Sequence, residues 1–70
     1  MANKFPVEVF NVGIVKESGS GLACLVKFFD EDREEWIPYS QIEDSDSLEV
    51  GEEYSVIYVT EWIAEEKDLY

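Results

Sequence analysis

The sequence predicts a small, mainly β domain of about four strands that ends in a short helix. Three segments carry apolar residues at alternating positions, as a strand with one buried face requires: residues 5–16, 22–29 and 54–60. Turn-forming and acidic residues separate them, and after Thr60 the apolar spacing becomes that of a helix. A chain of 70 residues allows one domain, residues 1–70, in which we expect residues 1–4 to be disordered.

The first strand changes its apolar face part-way along. Two successive sets of apolar residues fall on opposite faces, namely Val7 and Val9, then Phe10, Val12 and Ile14. The change occurs close to Asn11 and Gly13, and it predicts a bulge or a sharp bend there.

A hairpin is predicted next. The second strand, residues 22–29, places four apolar side chains on one face: Leu22, Cys24, Val26 and Phe28. A polar turn over residues 30–33 joins it to a short third strand, residues 34–37, which Pro38 ends. We expect residues 39–42 to form one helical turn with Ile42 directed inward.

The last segment predicts a helix over residues 61–69. Thr60 is a suitable N-cap, and Glu61 lies in the first turn, where the helix dipole favours a negative charge. Because a helix of about two to three turns is marginal alone, we expect it to pack on the strands through Trp62, Ile63 and Leu69.

Net charge is the most informative feature of the composition. Seventeen acidic and five basic residues give a net charge of −12 at pH 7, while 46% of the residues are hydrophobic, enough for a folded core. An acidic surface repels nucleic acid phosphates and anionic lipid, and it attracts basic proteins and cations. Because a net charge of about 2 to 8 suffices for the solubility of a small domain, the excess favours a functional role. Solubility remains the alternative explanation.

No residue pattern indicates catalysis. The chain has no histidine, so it lacks a Ser–His or Cys–His nucleophile pair. The single cysteine, Cys24, lies among apolar residues, where we expect an inert core thiol. The loop Gly19-Ser20-Gly21 lacks the lysine and the spacing of a phosphate-binding loop. We therefore expect a protein that is not an enzyme and has no cofactor.

Neither acidic turn matches a metal-binding motif. Residues 30–35 lack the sixth-position glycine and the terminal glutamate of an EF-hand loop, and residues 44–46 match no better. We expect no metal site. No segment approaches the roughly 20 apolar residues of a membrane span, and no signal-like apolar run begins the chain. We therefore expect a cytoplasmic protein that does not contact a membrane.

Three motifs follow one another in a recognisable order: Gly13-Ile14-Val15, Trp36-Ile37-Pro38-Tyr39-Ser40-Gln41-Ile42 and Leu48-Glu49-Val50-Gly51-Glu52. Between Gly13 and Val59 this order resembles the OB-fold barrel of ribosomal-type RNA-binding repeats. The resemblance implies an all-β, OB-like barrel of about four to five strands with the short helix at its C-terminal end. A classical barrel needs another strand after Val59, where this chain predicts a helix, so closure by a fifth strand is left open.

Residues 36–69 also resemble small domains that are associated with phages and mobile elements. Those domains carry a Trp-Ile-Pro-x-Ser-Gln-Ile turn and end in a Trp-apolar-Ala-Glu helix, as this chain does. The resemblance implies a phage or bacterial source and no defined activity.

The charge points to a protein partner. OB-fold nucleic-acid binders combine aromatic platforms with a basic groove, whereas the five basic residues here are scattered along the chain. We therefore predict no direct nucleic-acid binding. We predict instead an acidic protein-binding module, in its sharper form an inhibitor that imitates nucleic acid and blocks a DNA- or RNA-binding protein, as in phage counter-defence. The alternatives are an OB-fold single-strand-binding accessory domain of replication or repair and a structural interaction domain. The oligomeric state is left open.

The predicted contact residues are carboxylates in three neighbouring segments: Glu31, Asp32, Glu34 and Glu35, then Glu43, Asp44 and Asp46, then Glu52 and Glu53. We expect Trp36 and Trp62 to help fill the core of so small a domain. Tyr39 and Tyr70 have polar neighbours and are the aromatic residues expected to make exposed contacts, with Trp36 as a third candidate.

Overall fold

A computed structural model describes residues 3–69. Its elements are strand β1 (Val7–Glu17), strand β2 (Ala23–Phe28), strand β3 (Arg33–Pro38), two single 3₁₀ turns (Tyr39–Gln41 and Ser45–Ser47), strand β4 (Glu53–Val59) and helix α1 (Glu61–Glu66). Asn3 and Lys4 are exposed and precede the first strand. Over residues 3–69, no helix is long and apolar enough to cross a membrane.

The four strands form one antiparallel sheet in the order β3-β2-β1-β4, so the mainly β prediction is confirmed. The chain that leaves β3 then reaches the free edge of β4. There Ile42 forms an isolated antiparallel bridge with Val59, the Thr60 amide donates to Gln41 O at 3.0 Å, and the Glu43 amide donates to Tyr58 O at 2.8 Å. These contacts bring the chain after β3 alongside the edge of β4, and over residues 3–69 the sheet has four strands. The OB-fold resemblance itself stays a prediction.

The predicted bend in β1 lies at Asn11, whose backbone φ is +58°. Asparagine tolerates this left-handed conformation better than most residues do. Val9 before it and Val12 after it are both buried, so the apolar face does change there. Phe10 was expected on the face of Val12 and Ile14, and this was wrong: its ring is 55% exposed.

The predicted hairpin is present, with Cys24 opposite Ile37 and Val26 opposite Glu35. Cys24, Val26 and Phe28 are buried as expected, and so is Ile42 after the 3₁₀ turn. Leu22 is exposed, contrary to the prediction. The strand begins one residue later, at Ala23, because Leu22 lies in the preceding turn.

Helix α1 begins as predicted and ends earlier. The Thr60 hydroxyl accepts from the Ile63 amide at 3.2 Å, which caps the helix. Asp68 has a φ of +54°, and behind it the Leu69 amide donates back to Ala64 O at 2.8 Å. This pattern is a Schellman motif, which stops the helix at Glu66 and turns Leu69 into the core. The predicted extent of residues 61–69 was therefore too long.

Neither tryptophan is part of the core. Trp62 is 59% exposed and Trp36 is 40% exposed, so the expectation that both are buried was wrong. A helix of six residues buries a narrow face, and here Ile63 and Ala64 occupy it. The core is instead mainly aliphatic, with Phe28 as its aromatic member, and its largest fully buried side chains include Ile37, Ile63 and Val12.

These burials predict opposite results for two adjacent residues in α1. Ile63 is 1% exposed, so Ile63→Ala should lower the free energy of unfolding by about 2–5 kcal/mol, and the graded change Ile63→Val by about 0.5–1.5 kcal/mol. Trp62→Ala should change it by less than about 1 kcal/mol, because the indole stands largely in water. Urea unfolding of the three variants checks this. A loss for Trp62→Ala as large as that for Ile63→Ala would show that the helix docks through the indole.

Candidate protein-binding surface

Two of the five basic residues, Arg33 and Lys67, meet at one junction between the β2–β3 hairpin and the end of α1. The Arg33 guanidinium donates through Nη2 to Asp68 O at 2.7 Å and lies 5.4 Å from the centre of the Phe28 ring. Lys67 Nζ lies 4.0 Å from Glu35 Oε1, whereas Lys27 lies on the other face of the hairpin, with its Nζ 3.5 Å from Asp32 Oδ1. The junction therefore attaches the C-terminal segment to β3 with charge-assisted contacts.

Nearby cations offset the negative charge of most of the hairpin carboxylates. Arg33 Nε lies 3.3 Å from Glu31 Oε1 and Nη1 lies 3.7 Å from Glu35 Oε2, while Asp32 has its contact with Lys27. Of the four hairpin carboxylates predicted as contacts, Glu34 alone has no ion pair within residues 3–69. Exposed pairs of this kind contribute about 0–1 kcal/mol each, but they do reduce the negative potential that the hairpin presents.

The second and third predicted sets lie together. From Glu34 to Glu66 the sequence contains eleven Asp and Glu residues and no Lys or Arg. Six of the eleven lie between β3 and the start of β4, and we call them the loop patch: Glu43, Asp44, Asp46, Glu49, Glu52 and Glu53. All six are exposed. Among the described residues, none of their carboxylates forms a salt bridge or a side-chain hydrogen bond, so the loop patch keeps its full negative charge.

Hydrogen bonds of its own backbone hold the loop patch against β4 and β1. At one end, the Glu43 amide is bonded to Tyr58 O; in the middle, the Glu49 amide donates to Tyr54 Oη at 2.7 Å. At the other end, the Gly51 amide donates to Ile14 O at 2.7 Å and Glu52 O accepts from the Ile14 amide at 3.0 Å. The carboxylates take no part in these contacts, so the segment is ordered by its backbone while its charges face solvent.

Two short turns shape the segment between those anchors. Asp44 has a φ of +53°, and its carbonyl accepts from the Ser47 hydroxyl at 2.8 Å. Gly51 has a φ of +92°, a conformation that a side chain strongly disfavours. Leu48 packs against the core between the two turns. The loop is therefore fixed by one apolar anchor and several hydrogen bonds.

The predicted aromatic contacts have different environments. Trp36 is exposed on the outer face of the sheet, where Lys16 Nζ lies 5.8 Å from its ring centre. Tyr39 is half-buried, and its hydroxyl donates to Glu17 Oε1 at 2.9 Å. That hydroxyl already has a partner, which weakens Tyr39 as a contact residue. Tyr70 lies outside the described residues.

The sequence reasoning missed an apolar stripe on the outer face of β1 and β4. Phe10 lies opposite Val56, and Glu8 lies opposite Tyr58, so Phe10, Val56 and Tyr58 share one face. Phe10 and Tyr58 are exposed and Val56 is half-buried. The sequence signal for the exposure of Phe10 is the change of apolar face near Asn11. That change is compatible with Phe10 on the buried face or on the exposed face.

Comparison of the chain with protein-family models, with curated proteins and with solved structures found no match. The functional interpretation therefore depends on the residues themselves. Burial raises the pKa of the Cys24 thiol to about 11, with a further contribution from Glu17, so this thiol is a poor nucleophile at neutral pH. Within residues 3–69, no three His, Cys, Asp or Glu side chains come together as a metal site.

The Tyr39–Glu17 contact predicts a pH dependence at the alkaline end. Burial, together with the hydrogen bond to Glu17, raises the pKa of Tyr39 to about 12, against about 10 for an unfolded tyrosine. Because the folded protein holds this proton more tightly, the contribution to stability is complete below about pH 10 and is lost as the pH rises toward 12. The difference in unfolding free energy between wild type and Tyr39→Phe should therefore shrink between pH 8 and pH 11. A constant difference in denaturant titrations would show that the hydroxyl does not hold its proton through this contact.

Proposed function

We propose that this chain is a non-enzymatic, acidic protein-binding module that imitates nucleic acid and blocks a basic DNA- or RNA-binding protein. The observation that carries the proposal is the loop patch, with six exposed carboxylates on an ordered segment and no cation within residues 34–66. Rigid charge is what such an inhibitor requires, because a flexible acidic chain would lose conformational entropy on docking.

The density of the charges supports the proposal. All six carboxylates fall within residues 43–53, and hydrogen bonds to Tyr58, Tyr54 and Ile14 anchor that segment. Duplex DNA is likewise densely charged, with about one negative charge per 1.7 Å of helix axis. A dense set of carboxylates on an ordered segment is therefore the feature of nucleic acid that this chain can imitate.

The balanced hairpin changes which residues matter within this proposal. Glu31, Asp32 and Glu35 have nearby cations, whereas Glu43, Asp44 and Asp46 have none within the described residues. We therefore assign the main contacts to the loop patch and a secondary role to Glu34. The free Cys24 thiol suits a reducing compartment, so the proposal retains a cytoplasmic location, and phage counter-defence is the setting in which such inhibitors act.

Charge-reversal variants distinguish the effect of the loop patch on binding from the effect of the net charge of the whole chain. A loop variant, Glu43→Lys with Asp46→Lys and Glu49→Lys, avoids the positive φ of Asp44. A control variant, Glu61→Lys with Glu65→Lys and Glu66→Lys, alters the net charge by the same amount at exposed positions of α1. Each protein is added to a panel of purified basic DNA- and RNA-binding proteins that carry fluorescent nucleic acid, and displacement is followed by anisotropy.

We expect wild type to displace nucleic acid from at least one panel member at nanomolar to micromolar concentration, and less strongly as salt screens the charges. The loop variant should lose at least about tenfold in this activity, equivalent to about 1.4 kcal/mol, and the control variant should lose much less. The proposal fails if wild type displaces nothing, or if the two variants lose the same amount.

A second candidate function is supported by one observation on the outer face of the β2–β3 hairpin. Trp36 lies there opposite Leu25, Lys27 lies two residues along β2 on the same face, and Lys16 lies beside the indole. An exposed aromatic ring with two lysines is a small version of the platform on which OB-fold proteins stack single-stranded bases. This supports the alternative of a single-strand-binding accessory domain.

The charge balance favours the first candidate over the second. Binding to phosphates increases with the number of Lys and Arg contacts, and specific binders make about 6–10 of them, more than this chain has in total. Stacking on Trp36 would add about 1–3 kcal/mol per base. We expect no binding of labelled single- or double-stranded DNA or RNA at micromolar protein and physiological salt. Micromolar binding that Trp36→Ala removes would establish the second candidate instead.

A further inference from the structure

We infer that the apolar stripe formed by Phe10, Val56 and Tyr58, which we call the Phe10 ridge, anchors a partner segment whose apolar side chains are flanked by Lys or Arg. The inference rests on the proposed function and adds to it a second, apolar element of the binding surface. It starts from the exposure of the ridge, since Phe10 is 55% exposed although it is a large apolar residue.

The ridge is continuous rather than a set of scattered apolar residues. Phe10 and Val56 are direct cross-strand partners, and Tyr58 lies two residues farther along β4 on the same face. Single exposed apolar residues are common on protein surfaces, whereas adjacent ones mark binding sites more often. Aromatic residues at the centre of a patch are also the ones that contribute most to protein–protein binding.

Carboxylates border the ridge on both sides. On one side, Phe10 lines a shallow depression with Glu8, Asp30 and Glu31. On the other side, Val56 and Tyr58 line a second depression with Glu43 and Asp44 of the loop patch. The surface is therefore an apolar centre between two acidic borders, the arrangement of a contact area with a charged rim.

This charge pattern selects the occupant. A second copy of the chain would bring one surface of net charge −12 against another, and an anionic membrane would be repelled in the same way. A basic protein segment satisfies both features, since its apolar side chains cover the ridge while its Lys or Arg residues reach the acidic borders on either side.

Two synthetic peptides of equal positive charge test the inference. In one, Leu residues occupy one face of an amphipathic helix and Lys residues the other face. In the other peptide, Ser replaces every Leu. Binding to the ¹⁵N-labelled full chain is followed by NMR at physiological salt. We expect the Leu/Lys peptide to bind about tenfold more tightly than the Ser/Lys peptide, and to shift the amide signals of Phe10, Val56 and Tyr58.

The variants then locate the apolar contribution. Phe10→Ala and, separately, Tyr58→Ala should remove most of the preference for the Leu/Lys peptide and leave the Ser/Lys peptide unaffected. Trp62→Ala is the matched control for Phe10→Ala, because it removes an aromatic ring of similar exposure from α1, and it should keep the preference. Neither ridge ring belongs to the buried core, so these variants should fold, and the dispersion of their NMR spectra verifies that they do.

The possible failures are distinguishable. If both ridge variants keep the preference, or if Trp62→Ala loses it equally, the ridge is not the anchor. If sedimentation shows that wild type dimerises and Phe10→Ala does not, the ridge is a self-association surface and the inference is overturned. In either case the proposed function stands as long as the charge reversal at Glu43, Asp46 and Glu49 weakens both peptides. If that reversal weakens neither peptide, the proposed function fails together with the inference.

Discussion

Charge balance is the constraint on which the rest of this structure depends. Five basic residues face seventeen acidic ones, and the fold brings Arg33 and Lys67 to a single junction at Glu35, while Lys27 lies beside Asp32 of the hairpin turn. Arg33 serves several partners at once there, namely the ring of Phe28, the carboxylates of Glu31 and Glu35, and the carbonyl of Asp68. The junction joins the C-terminal segment to β3, and it leaves the loop patch without compensating charge.

The core has to stabilise the domain against the repulsion that remains. Its completely buried side chains come from all four strands and from the helix, including Val12, Val26, Ile37, Val59 and Ile63. The loop patch is ordered by hydrogen bonds between its own backbone and the main chain of Ile14 and Tyr58 and the hydroxyl of Tyr54, and its carboxylates take no part in them. This division between a backbone that orders the segment and side chains that face solvent is what makes a binding role for the carboxylates reasonable.

Local patterns in the sequence were sufficient to predict most of the fold. The alternation in β2 identified Cys24 and Val26 as core residues, and the Thr60 cap identified the start of α1. The face on which Phe10 lies depends on the left-handed backbone of Asn11. The apolar pattern is compatible with a bend at more than one position, so it does not determine that face. The exposure of Trp62 follows from the short length of the helix, whose buried face is occupied by Ile63 and Ala64, and its early end follows from the left-handed backbone of Asp68.

The candidate site was less predictable than the fold. The sequence identifies the carboxylates, but their neutralisation depends on contacts between distant segments, such as Arg33 with Asp68, which are 35 residues apart. The alignment of Glu43 and Glu49 with β4 likewise follows from the path of the chain after β3. For these reasons the hairpin and loop carboxylates were equivalent in the sequence and are different in the structure.

The central claim is that the loop patch serves binding and not folding, and the salt dependence of stability tests it most directly. The measurement is the free energy of unfolding of wild type and of a neutral variant, Glu43→Gln with Asp44→Asn, Asp46→Asn and Glu49→Gln. At low salt the neutral variant should be as stable as wild type or more so, because repulsion is removed. The two should converge near 1 M salt, where the screening length falls to about 3 Å. A neutral variant that is less stable than wild type at every salt concentration would show that these carboxylates hold the fold together, and it would contradict the account.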